Sequence, residues 1–100
     1  MKNRFSPAGL GDELTNLGID EFWIIDQHQL EGDIDDKWAF PSILNKEKKR
    51  ICYYNRPIGS KVGYWAFYQT PIGPVKDEIF EKAVRISTDY LFNMELLSDQ

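Results

Sequence analysis

The 100-residue sequence contains a single cysteine and a single histidine, and it has no long hydrophobic run. With Cys52 alone, no intramolecular disulfide can form, which fits a reducing compartment. No window approaches 18 uninterrupted apolar residues, so no membrane-spanning helix is expected. The charged N-terminus is not followed by the apolar segment of a signal peptide. These absences predict a cytoplasmic protein that makes no membrane contact.

The motifs of the common enzyme classes are missing as well. There is no Gly-x-Ser-x-Gly elbow, Walker loop, paired-cysteine motif or His-Glu-x-x-His. Catalysis by histidine would have to use His28, and nothing in the sequence places a nucleophile beside it. Carboxylates near Trp23, at Glu21 and Asp26, are the remaining acid–base option, although charges at strand ends usually serve solubility. The candidate nucleophiles are Ser42, Cys52 and Ser60. A non-enzymatic protein without a cofactor is therefore expected.

The apolar content is sufficient for one folded unit. Hydrophobic residues make up 42% of the chain and aromatic residues 14%, which is too much for a disordered protein. A chain of this length has room for one hydrophobic core. We therefore predict a single α+β domain over residues 1–100.

The charge pattern is polarised along the chain. The formal net charge is −4, and residues 18–36 contain no lysine or arginine. A compact basic cluster follows at residues 46–50. An acidic surface repels phosphate backbones and attracts basic partners. The seven carboxylates in the acidic stretch are Asp20, Glu21, Asp26, Glu31, Asp33, Asp35 and Asp36.

In the N-terminal half, local signals predict one helix and two strands. Ser6 and Pro7 form a typical helix start, and Gly18 a typical stop, so a short helix is expected over residues 8–17. Residues 21–26 form an apolar strand whose two faces are both hydrophobic. A polar loop over 27–36 then leads to a short second strand at 37–40, which ends at Pro41.

In the C-terminal half, the sequence predicts an aromatic hairpin and a long helix. Strands over residues 50–56 and 61–70 flank the turn Arg56-Pro57-Ile58-Gly59, and a polar connection covers 42–49. From Pro74, apolar residues recur at helical spacing, so one helix is expected to end between residues 92 and 97. The apolar stripe consists of Val75, Ile79, Ala83, Ile86 and Tyr90.

These elements give the order α-β-β-β-β-α. The expected fold is a four-stranded, mainly antiparallel sheet packed against the long C-terminal helix. The N-terminal helix is too short to cover the whole second face of the sheet. That open face is a candidate surface for a homodimer or for another partner.

The sequence contains two alternatives to a simple acidic surface, a cation site and a nucleic-acid surface. Residues 31–36, with His28 nearby, offer oxygen ligands for a divalent cation, but Gly32 precedes Asp33 and the spacing of a calcium loop is not met. The aromatic hairpin over residues 50–70 has rings and bases suited to single-stranded nucleic acid. It lacks the signature of an RNA-recognition sheet, and the net charge has the wrong sign. No metal site is expected, and nucleic acid is an unlikely partner.

The acidic stretch best suits an inhibitor of a basic protein. Fixed carboxylates that occupy a phosphate-binding surface bind quickly and block the substrate, and tryptophans supply apolar anchors. The profile of a small, acidic, tryptophan-rich and cofactor-free chain is similar to that of bacterial toxin-immunity proteins and phage-encoded nuclease inhibitors. We therefore predict a protein that neutralises a basic partner such as a nuclease toxin. The expected contact residues are Asp20, Glu21, Trp23, Asp26, Glu31, Asp33, Asp35, Asp36 and Trp38.

Overall fold

The computed structural model describes residues 3–26, 41–61 and 63–98 and has an α+β architecture. Across these residues, one antiparallel sheet of five strands has the spatial order β4-β3-β2-β1-β5. The strands are β1 (Phe22–Ile25), β2 (Ser42–Asn45), β3 (Arg50–Asn55), β4 (Tyr64–Ile72) and β5 (Val84–Ile86), and the helices are α1 (Pro7–Asn16), α2 (Asp77–Phe80) and α3 (Thr88–Ser98). No helix in the described ranges is long and apolar enough to cross a membrane.

Helix α1 confirms the prediction for the N-terminal helix. The Ser6 hydroxyl accepts a hydrogen bond from the Gly9 amide at 3.1 Å, and Pro7 occupies the first turn. Leu10 and Leu14 are completely buried. The helix ends before Gly18, whose φ of +75° suits a residue without a β-carbon. Local capping signals were therefore sufficient to define this element.

Strand β1 pairs with a strand at residues 42–45 that was not predicted from the sequence. The strand expected at residues 37–40 lies outside the described residues. Strand β2 pairs antiparallel with β1, with Ile25 opposite Ser42 and Phe22 opposite Asn45. The prediction of a polar connection over residues 42–49 is therefore wrong for Ser42–Asn45. It was missed because just two apolar residues, Ile43 and Leu44, stand before a run of charges, yet both are fully buried.

The predicted aromatic hairpin is confirmed in β3 and β4. The register places Asn55 opposite Tyr64 and Cys52 opposite Phe67, and β4 extends two residues beyond the predicted end to Ile72. The register of the two strands then shifts towards the start of β3, because Arg50 pairs with Ile72. Strand β4 therefore accommodates extra residues between these two pairs, as in an extended bulge.

The prediction of one continuous C-terminal helix from Pro74 is wrong. The segment instead forms α2, β5 and α3, so the described order is α-β-β-β-β-α-β-α. Strand β5 pairs antiparallel with β1, with Ile24 opposite Val84 and Phe22 opposite Ile86. Val84 and Ile86, two of the three residues of β5, are β-branched, and pairing along the edge of β1 satisfies the backbone groups of this edge.

Different elements pack against the two faces of the sheet. On one face, α1 and α3 pack over the main core, which includes Leu10, Leu14, Trp65 and Leu91. On the other face, the segment around α2 packs over Ile25 and Leu44. The apolar stripe that suggested one long helix is thus divided between two layers. The homodimer through an open sheet face stays a prediction.

Candidate functional site

The carboxylates of the acidic stretch do not form one cluster. Asp20 and Glu21 precede β1, whereas Asp26 follows it. A strand advances about 3.4 Å per residue, so the backbones of Glu21 and Asp26 lie roughly 17 Å apart at opposite ends of the sheet. The other predicted contact residues lie outside the described residues: Glu31, Asp33, Asp35, Asp36 and Trp38.

At the Glu21 end, the acidic charge is partly offset by bases. The Glu21 carboxylate lies 3.5 Å from the Arg85 guanidinium of β5, and both side chains are substantially exposed. Such a solvated ion pair adds little stability. The turn that joins β2 to β3 carries three lysines at this same end of the sheet, and one of them, Lys48, forms an ion pair with Asp77. A uniformly acidic surface is therefore absent here among the described residues.

At the Asp26 end, the chain leaves the sheet and returns to it at neighbouring positions. Ile25 and Ser42 face each other in the antiparallel pair, so the connection over residues 26–41 begins and ends side by side. The carbonyl of Pro41 also accepts a hydrogen bond from the Tyr54 amide at 3.0 Å. The acidic run at 31–36 therefore belongs to a segment whose two ends leave the sheet at the same place.

Trp23, a predicted apolar anchor, is half-buried beneath α2. Its ring centroid lies 4.9 Å from that of Phe80, and it packs against the cluster of Ile25 and Leu44. This contact ties the side chain to the second core. Because both faces of β1 are apolar, the residue pattern does not distinguish an exposed Trp23 from a packed one.

The rings of the aromatic hairpin pack mainly against one another. Tyr54 contacts the fully buried Trp65 at a centroid distance of 5.3 Å, and Tyr53 contacts Tyr68 at 4.8 Å. The Arg4 guanidinium lies 4.8 Å from the centre of the Tyr64 ring. These pairings reduce the ring area that is free to stack on bases.

Two of the candidate nucleophiles are buried and lie on different faces of the sheet. Cys52 and Ser42 are both completely buried. Cys52 stands opposite Ile43, so it shares a sheet face with that residue, and the neighbouring Ser42 points to the other face. His28 lies outside the described residues. Within the described ranges, no group of three metal-ligating side chains is close enough to hold an ion.

Two open grooves lie beside β4. They enclose about 560 and 490 Å³ and share Asn3, Phe67, Tyr68 and Gln69 among their lining residues. Glu13 is the one charged residue among the described side chains that line them. Tyr68 lines both grooves, and its hydroxyl has no hydrogen-bond partner among the described residues, so it is not hydrogen-bonded to Glu13.

Cys52 is expected to resist alkylation in the folded protein. Burial raises the pKa of its thiol, which keeps the thiolate population small. Iodoacetamide at neutral pH should label no cysteine in buffer and one cysteine in denaturant, as measured by intact mass. Because the thiol ionises more readily in the unfolded chain, stability should also fall as the pH rises above the usual thiol pKa. Fast labelling under native conditions would show that this part of the core opens readily.

Comparisons with known proteins do not assign the chain to a family. Protein-family models, curated proteins and solved structures all yield no match. The function therefore has to be inferred from the residues and the geometry of the chain itself.

Proposed function

We propose that this protein is a non-enzymatic inhibitor that binds a basic partner, such as a nuclease toxin, and blocks its substrate-binding surface. The observation that carries the proposal is the anchoring of the acidic connection at one end of the sheet. Its two ends leave from the paired residues Ile25 and Ser42, and Pro41 is bonded to β3. Four carboxylates of the acidic run stand within this connection: Glu31, Asp33, Asp35 and Asp36.

The physical mechanism is competition for a phosphate-binding surface. A nuclease holds its substrate through lysine and arginine side chains, so its active site carries a positive potential. A tethered group of carboxylates is attracted to that potential and speeds association by electrostatic steering. Occupation of the site then excludes the nucleic acid. This mechanism requires charge and anchoring, and it requires no catalytic group.

The other described features are compatible with a binding role. Two of the three candidate nucleophiles, Cys52 and Ser42, are completely buried and point to opposite sheet faces. The nucleic-acid alternative has less support, because the hairpin rings pair with one another and with Arg4. The third alternative is a small enzyme or a metal-dependent domain, and no cluster of metal-ligating side chains among the described residues supports the metal-dependent form.

Charge reversal in the acidic run is expected to slow association with the partner. We expect the triple variant Asp33→Lys, Asp35→Lys and Asp36→Lys to lower the association rate constant roughly tenfold or more, because steering depends on this charge. The partner is first captured from the source cell's lysate at low and at moderate salt and identified by mass spectrometry. Association of the purified protein is then followed by surface plasmon resonance.

A matched control separates local charge from net charge. Reversal of Asp12, Glu47 and Glu81, three exposed carboxylates outside the acidic stretch, changes the net charge by the same amount. This control should reduce the rate much less. If the two triple variants slow association equally, the effect comes from net charge alone, and the proposal is contradicted. Recovery of RNA or DNA without a protein partner would favour the aromatic hairpin instead.

A further inference from the structure

The turn between β3 and β4 is closed by hydrogen bonds and presents a fully exposed isoleucine. Ile58 has a relative exposure of 106%, and the next most exposed large hydrophobic residue among the described ones, Leu17, has 57%. The Ser60 amide donates a hydrogen bond to the Pro57 carbonyl at 3.0 Å, and Arg56 Nε donates one to the Ser60 carbonyl at 2.9 Å. An isolated exposed isoleucine is ordinary. A preorganised one loses little entropy on binding.

The turn that carries Ile58 lies near the acidic connection. The Tyr54 amide is bonded to the Pro41 carbonyl, so the end of the acidic connection lies beside β3. Arg56 follows Tyr54 by two residues, which places the start of the turn about 7 Å further along. The turn over residues 56–61 and the two ends of the connection over 26–41 therefore emerge at the same end of the sheet. A protein held at that end would also meet the turn.

We propose that the turn over residues 56–61 is a second contact of the inhibitor surface and that Ile58 is its apolar anchor. The inference rests on the proposed function. Charges at an interface mainly set specificity and association rate, whereas slow dissociation depends on a few desolvated anchors in apolar pockets. Trp23 is held by its contact with Phe80 and supplies no such protruding anchor. Ile58 is the described residue at this end whose side chain is completely available.

The charges beside Ile58 define the kind of pocket that it fits. Arg56 and Lys61 flank the tip, and both are exposed. Like charges brought together at an interface are repelled, so the pocket for Ile58 lies outside the basic surface of the partner. We therefore infer an apolar pocket with a neutral or acidic rim, adjacent to the basic site that the carboxylates occupy.

Photo-crosslinking in the source cell's lysate tests this arrangement. The photoreactive residue p-benzoylphenylalanine is placed in the full chain at position 58, at position 34 in the acidic run, or at position 17 as a control at the far end of α1. The same three chains are also made with the Asp33, Asp35 and Asp36 reversals. Positions 58 and 34 should crosslink to one and the same basic protein, and position 17 should not. The reversals should weaken both crosslinks.

Binding kinetics with that crosslinked protein, once purified, give the quantitative test. Ile58→Ala should raise the dissociation rate about tenfold and change the association rate less than twofold, because the loss is of buried apolar contact. Leu17→Ala, a matched truncation of an exposed residue, should change neither rate. Both variants should keep the thermal stability of the natural chain, since both side chains are exposed.

The possible outcomes distinguish this inference from the proposed function. A crosslink from position 34 without one from position 58, or an unchanged dissociation rate in Ile58→Ala, overturns the role of the turn and leaves the inhibitor proposal in place. A crosslink from position 58 to a protein that is not basic, unaffected by the reversals, overturns the inhibitor proposal and keeps the turn as a contact. No crosslink from either position overturns both.

Discussion

Trp65→Ala is expected to lower the free energy of unfolding by about 3–5 kcal/mol, the usual cost of emptying the site of a large buried aromatic residue. Trp65 is completely buried on the sheet face that α1 and α3 cover. It packs against Tyr54, and its backbone forms two hydrogen bonds, of 2.7 and 2.8 Å, with Phe5. The truncation therefore removes the largest side chain of the main core. Urea unfolding monitored by circular dichroism measures the loss.

Trp65→Phe provides the control for this prediction and guards against a variant that does not fold. The indole Nε1–H of Trp65 is buried and has no acceptor among the described residues. Phenylalanine fills most of the site and removes this unpaired donor, which by itself is unfavourable when buried. We expect less than half of the loss seen for alanine. Equal losses for the two variants would contradict the packing argument.

Gly63→Ala is expected to destabilise the protein by roughly 2–3 kcal/mol through overpacking of the β3–β4 hairpin. A β-carbon at this position would lie 2.6 Å from the carbonyl oxygen of Asn55 and would also overlap the Tyr54 phenol. The Gly63 amide donates a hydrogen bond to the Tyr54 hydroxyl at 3.1 Å, so the ring cannot move away without breaking that bond. The shift in the urea midpoint gives the size of the effect.

Gly11→Ala is the matched control, because the same methyl group is added where the space permits it. The nearest atoms to its β-carbon, on Phe92 and Thr88, would be 3.6 Å or more away, which is ordinary van der Waals contact. Gly11 lies inside α1, where alanine is favoured over glycine by about 0.5–1 kcal/mol. We therefore expect stabilisation at position 11 and destabilisation at position 63. The same sign at both positions would refute the steric account of Gly63.

The proposed binding surface and the main core meet at one end of the sheet. The acidic connection and the turn over residues 56–61 leave the sheet there, and Trp65 pairs with Tyr54, whose amide is bonded to Pro41. Ile58 is fully exposed, so its variants should alter binding without altering stability. Trp65 variants should lower stability, and they are therefore tests of packing and not of binding.

The residue types of the candidate site could be predicted from the sequence, whereas their arrangement in space could not. The acidic run and the nearby tryptophans are evident from residue types alone. Strand β1, however, separates Asp20 and Glu21 from Asp26, and Trp23 packs against a residue 57 positions later in the chain, Phe80. Such distances depend on strand direction and on long-range packing, which sequence spacing does not contain. The sequence predicted a turn at Ile58, but it did not show that the side chain is fully exposed.

The sequence by itself determined the elements whose signals are local. The cap formed by Ser6 and Pro7 defined the start of α1, and the proline–glycine turn between aromatic runs defined the β3–β4 hairpin. Each signal acts through the backbone preferences of a few neighbouring residues, so distant contacts are not needed to interpret it.

The tertiary structure alone decided the outcome for residues 74–98. Their apolar spacing fits one amphipathic helix, yet Val75, Ile79 and Phe80 pack on one face of the sheet and Leu91 lies in the core on the other. The chain crosses between the two faces at the open edge of β1, where Val84–Ile86 pairs as β5. Burial on two faces and hydrogen bonds along β1 together outweigh the local helical preference, because both are gained through residues far away in the sequence.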